Sequence, residues 1–296
     1  GGTLATMGSF DIARSITLAQ AGRFEVAGGT ELGLTGAVAG AGDLVKSGAG
    51  ILRLDNAGNA YRNTHILAGT LVGNAATIRG DIDNAGTLVF EQAADASYGG
   101  AMSGTGSFVK NGAGTLGLTG DSSGYRGTTT VNGGRLAMQG RLGGSISIGA
   151  GGVLGGNGTI GSGAGSTITV AAGGVLSPGN SIGALTIDGD LAVQRGARFA
   201  VETNPAGPEA DLVHVTGNAA LDGGSVAHIG ANGNYGLRSR YTILSADGAL
   251  SGQFDAVTSD FAFLTPSLAY DYDARRVSLE LARNDTPMIS AAATRN

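Results

Sequence analysis

Apolar and polar positions alternate along this chain in bursts of three to five residues. Ile51-Leu52-Arg53-Leu54 shows the pattern cleanly, and Thr87-Leu88-Val89-Phe90 less so. A period of two over such short spans predicts strands. They fall at 15–18, 23–26, 31–34, 43–46, 51–54, 65–67, 77–79 and 87–90, then at 107–110, 115–119 and 128–131. Gly, Asn, Asp and Ser separate them, the residues that accept the backbone angles of tight turns. No window of eleven or more residues shows helical spacing with sensible caps. Beyond residue 189 the strands lengthen, to 190–193, 198–202, 211–216 and 225–229, and Pro205 and Pro208 mark a protruding loop.

The pattern also repeats. GAGDLVKSGAGILRL, from Gly40, returns as GTGSFVKNGAGTLGL, from Gly104. The two lysines of the chain, Lys46 and Lys110, fall at equivalent places, as do Tyr61-Arg62 and Tyr125-Arg126. A shorter repeat, GAGGVLGG then AAGGVLSPG, sets Val153-Leu154 one interval ahead of Val175-Leu176. Strands recurring at this spacing without helices suit a solenoid whose coils of about 20 residues each carry three short strands. One inward position then stacks on itself from coil to coil, favouring Leu, Val, Ile and Thr. A single coil buries too few side chains to offset its own ordering, so stability has to come from stacking.

Composition narrows the class. Glycine reaches 56 of 296 residues while proline is only 5 and hydrophobic residues make up 42%, which argues against both collagen and disorder. With no cysteine there are no disulfides or thiolate metal sites. A net charge of −5 without a basic cluster makes nucleic acid a poor partner. No apolar run is long enough to span a membrane. The chain opens GGTLATMGSF, without a signal peptide, so the expectation is a piece of a longer protein.

GAGTLGLTG (112–120) with YRGTTTVNGGRL (125–136), GGVLSPGNSIGALTIDGDL (173–191), and YTILSADGALSGQFDAV (241–257) with FAFLTPSLAYD (261–271) and VSLELARND (277–285) together resemble the passenger region of bacterial autotransporters. They resemble, in order, its passenger repeat, its junction motif and its C-terminal autochaperone segment. The resemblance covers nearly the whole chain. It implies an all-β fold, a right-handed parallel β-helix with a hairpin-containing C-terminal cap. It further implies a stalk over 1–175, an autochaperone-like cap over 176–283, and from 284 to 296 a linker towards an outer-membrane barrel absent from this sequence. The implied role is non-enzymatic: a stalk and folding template, secreted or displayed on a Gram-negative cell. Tyr241, Leu244, Phe254, Phe261, Phe263, Leu264 and Tyr270 are expected to form the folding-nucleus core, with Phe261 and Phe263 on one strand face. The expected partner is the protein's own barrel, with a host-cell surface or a second copy as further partners. The alternatives are an adhesin, or the stalk of a passenger with a protease or esterase domain upstream.

Several strings mimic chemistry. Gly179-Asn180-Ser181-Ile182-Gly183 fits G-x-S-x-G, but strand-like sequence follows where a nucleophile elbow needs a helix. Gly120-Asp121-Ser122-Ser123-Gly124 resembles a protease nucleophile loop, yet none of His65, His214 and His228 sits in a base motif. Gly156 to Gly161 fits G-x-G-x-x-G without a helix to present amides to a phosphate. The pairs Asp81/Asp83, Asp188/Asp190 and Asp271/Asp273 read as solvated strand faces, and no cofactor or metal is implied. Arg79-Gly80-Asp81 is an integrin-type tripeptide and the candidate adhesion motif.

Overall fold

The computed structural model describes residues 1–230 and 233–284. The expected linker beyond Asn284 lies outside the described residues. Every regular element among them is a strand. The chain forms two compact units, 1–147 and 148–296.

In the first unit, three faces recur about every twenty residues. Thr3–Thr6, Gly22–Val26, Leu44–Ser47, Thr64–Ile66, Ile82–Asn84 and Met102–Gly104 pair in parallel on one face. A second face runs from Phe10–Ile12 through Glu31–Leu34, Ile51–Leu54, Thr70–Gly73, Thr87–Glu91 and Ser107–Asn111 to Thr128–Val131. The third has two stretches, Ile16–Thr17 with Val38–Ala39, then Ala96–Tyr98, Thr115–Leu118 and Gly134–Met138. Alternation decides what is inside. Leu32, Leu52, Leu71, Leu88 and Phe108 are register partners in succession, and all are fully buried. Each contributes about 1.5–3 kcal/mol by leaving water, and none has a partner until the next coil is laid down.

At the corners, where strand pairing lapses, side chains bridge coils. Asp43 accepts the Asn63 N–H, Asn63 accepts the Asp81 N–H, and Asp81 accepts the Ala101 N–H, at 3.1, 3.0 and 2.8 Å. The Arg62 guanidinium beside Asp43 holds its carboxyl below the usual range.

The second unit stacks Gly152–Gly156, Val175–Pro178, Arg198–Thr203, Ser225–Gly230 and Ala256–Ser259 on one face. Val153 pairs with Val175 and Leu154 with Leu176, the parallel register expected from the shorter repeat. Coils lengthen towards the end, to about thirty residues from Ala219 to Leu250. Pairing then turns antiparallel: Arg276–Arg283 lies between Arg238–Ala246 and Leu264–Asp271. Residues 176–283 therefore contain parallel coils and an antiparallel sheet. Its central strand buries Val277, Leu279 and Leu281.

Two expectations need correction. Residues 77–79 are not a strand. Asn74 receives the Ala76 N–H at 2.8 Å and its own N–H binds Thr77 Oγ1 at 2.9 Å. These short-range bonds outcompete a ladder that β-branched Thr77 and Ile78 would otherwise favour. Phe261 and Phe263 do not alternate on a strand either. They sit in a turn, closed by Leu264 N–H to Phe261 C=O at 3.1 Å, just ahead of Leu264–Asp271.

Candidate functional site

The two aligned repeats build the same polar device. Lys46 and Lys110 occupy inward positions of their strands and are both fully buried. Lys46 Nζ donates to the carbonyls of Ser47, Gly48 and Ala68 at 2.8, 2.7 and 3.0 Å. Lys110 Nζ donates to those of Asn111, Gly112 and Gly133 at 3.0, 2.9 and 2.8 Å. In each case one acceptor ends the lysine's own strand, one lies in the following turn and the third in the next coil. Burial pushes the Lys46 ammonium down to about 8 and lowers Lys110 as well. Three acceptors match three N–H donors, so the charged form is fully satisfied at neutral pH. The turn depends on glycine: Gly48 and Gly112 have φ of 73° and 79°. A Cβ there would lie 2.2 Å from the Val26 carbonyl oxygen and 2.5 Å from that of Gln92.

The alignment located these lysines without revealing their burial. The signal was their parity, because Lys46 follows Leu44, and Lys110 follows Phe108, on the inward side.

At the other end, the expected core residues divide among several neighbourhoods. Phe261 and Phe263 meet at 5.1 Å between ring centroids and both face Tyr235, at 5.5 and 6.3 Å. His228, which sits in no base motif of the sequence, lies edge-on to Tyr235 at 5.8 Å and near Phe261 at 6.1 Å. Its Nε2 meets Thr203 Oγ1 at 2.8 Å and its Nδ1 meets Ser259 Oγ at 2.9 Å. Fully enclosed, the ring is pushed down to about 4. Phe254 packs near Phe199 and donates its N–H to Tyr270 Oη. Tyr241 Oη donates to the Asn204 carbonyl, and Leu244 and Leu264 are buried on their own strands.

The other sequence motifs are absorbed by the fold. Arg79 donates to the carbonyls of Asn59 and Ala57 at 2.7 and 2.8 Å, and Gly80 accepts from Tyr98 Oη. With Asp81 tied to Ala101, the tripeptide is engaged at each residue. Ser122 is buried, and its Oγ accepts the Met102 N–H at 2.8 Å. One Ser, His and Asp do meet: His214 Nδ1 lies 3.2 Å from Ser245 Oγ, and Nε2 3.5 Å from Asp247. That nitrogen order is the reverse of a serine-hydrolase relay, in which the aspartate holds Nδ1 and Nε2 serves the serine. Among the described residues, no group of three or more His, Asp or Glu is placed to hold a metal ion.

Residues 44–72 and 108–138 each match the passenger-associated-transport-repeat family, and the matches enclose both lysine tripods and their turns. Over 73 residues, a quarter of the chain and 2% of the relative, the sequence is 42% identical to the adhesin BmaC autotransporter of Brucella suis biovar 1 (strain 1330). The chain belongs to the autotransporter passenger domains. This passenger segment is also 32% identical over 210 residues to an extracellular serine protease of Serratia marcescens, across 68% of the chain and 19% of the relative. A second extracellular serine protease from the same organism is 28% identical over 232 residues, 73% of the chain and 21% of the relative. The chain thus spans about a fifth of the length of these two relatives. Its repeats and β-solenoid fold give it a stalk role within a passenger.

Proposed function

We propose that this passenger segment is a non-enzymatic stalk whose C-terminal portion serves as the folding template, working outside a Gram-negative cell after export through a C-terminal outer-membrane barrel. The antiparallel sheet at 238–283 supports this reading. Within its own strands it supplies both the paired edge and the buried core that an isolated parallel coil lacks. Distant parallel pairing nucleates slowly, so a segment able to close on itself first offers an edge for later coils. Burial of each added coil then opposes withdrawal through the pore.

The test compares two buried leucines. Leu279→Ala, in the central antiparallel strand, and Leu52→Ala, in a first-unit coil, each remove a fully buried side chain and cost about 2–5 kcal/mol. If the sheet is the template, Leu279→Ala slows refolding of the whole chain at least tenfold. Leu52→Ala mainly speeds unfolding. Equal effects on the refolding rate would remove the template role.

Attachment through Arg79-Gly80-Asp81, suggested by the adhesin relative, is the weaker reading because those residues are already engaged.

A further inference from the structure

We propose that Lys46 and Lys110 are fasteners that lock each repeat-bearing coil onto the coil following it in sequence and resist its being peeled away. The inference rests on the template reading for its direction but on the tripod geometry for its substance.

The ladder and apolar stack between coils are the same kind of interaction at every level. The lysines differ. Each places one charge-assisted hydrogen bond across a coil boundary, Lys46 to Ala68 and Lys110 to Gly133. Both bonds reach towards the C-terminal neighbour. On the N-terminal side, the register partner of each lysine is a buried phenylalanine, Phe24 for Lys46 and Phe90 for Lys110. The polar partner therefore lies on one side and the apolar cover on the other, in the same sense in both repeats.

That asymmetry fits one order of assembly. When the C-terminal coil is in place first, the arriving lysine finds its third acceptor while its N-terminal side is still open to water. The ammonium exchanges water for carbonyls one by one, and the phenylalanine of the next coil then covers a satisfied charge. Peeling runs this in reverse. The cover must lift, and the charge-assisted bond to the following coil's carbonyl must then break before the coil can leave. An uncompensated buried ammonium is costly, so no half-open arrangement relieves the load. The two fasteners lie 64 residues apart, which makes each a separate stop along the first unit.

The chain, held at its C-terminus and pulled from its N-terminus in an optical trap, reads this out. Extension should pause as the Lys46 coil is reached and again at the Lys110 coil. Lys46→Met removes only the first pause and Lys110→Met only the second, with the local opening rate rising at least tenfold in each. Lys46→Gln, which keeps polar reach if the methionine variant does not fold, shortens the first pause at least threefold. Pauses of unchanged duration in the lysine variants would overturn the proposal. The two readings separate in the same set of proteins. If Leu279→Ala slows refolding while the lysine variants peel like the parent, the template stands and the fasteners fall. If the pauses vanish while Leu279→Ala refolds normally, the fasteners stand and the template falls.

Discussion

Acid should loosen the C-terminal unit through one side chain, His228. The ring has no exposed surface, and both nitrogens are taken by Thr203 and Ser259 hydroxyls. Tyr235 and Phe261 pack around it, and the Asp260 carboxylate acts in the opposite direction by favouring the charged form. Burial wins, and the group moves from 6.5 to about 4. Between these values the unfolded chain binds a proton that the folded chain does not. Stability is therefore complete above about pH 6.5 and is lost as the pH falls towards 4. At 1.36 kcal/mol per decade, that displacement corresponds to about 3 kcal/mol, a large part of the roughly 5–15 kcal/mol that holds a domain. Guanidinium midpoints between pH 7.5 and 4 measure the loss. Hydrogen exchange in Ser225–Gly230 locates it. His228→Gln keeps donor and acceptor but does not titrate, so it should start less stable at pH 7.5 and lose little more on the way to pH 4. Asp43, whose carboxyl is held below its usual range by Arg62, matters only at lower pH and does not blur the window. Parallel acid curves for parent and variant would refute the assignment.

Two further outcomes follow from local geometry. Gly112→Ala forces a side chain into the left-handed region against the Gln92 carbonyl, and chemical denaturation should show a loss of about 1–3 kcal/mol. Asp81→Glu should leave attachment of integrin-bearing cells to the purified chain unchanged, because the tripeptide is held by backbone partners. Lost attachment would return it to consideration.

The strands placed from the sequence mostly stand, because period-two alternation of Leu, Val, Ile and Thr between glycine-rich turns leaves few other structures. Glu31–Leu34, Ile51–Leu54 and Thr128–Val131 stand where that pattern puts them. The shorter repeat likewise announced the Val153 and Val175 register, since one coil separates its two GGVL strings. The failure at 77–79 has a local cause that alternation does not encode, the competing bonds of Asn74 and Thr77.

Only the tertiary structure decided where the long repeat lands. Lys46 lies on the face of Leu44–Ser47 and Lys110 on the neighbouring face of Ser107–Asn111, so the same strand–turn–strand unit returns rotated by one face. Sequence repeats record local geometry, whereas the face is set by the summed lengths of the intervening coils. The same distinction explains the burial of the lysines and of His228. Composition marks such residues as polar, but a carbonyl or hydroxyl many residues away, placed by coil stacking, is what lets them leave water.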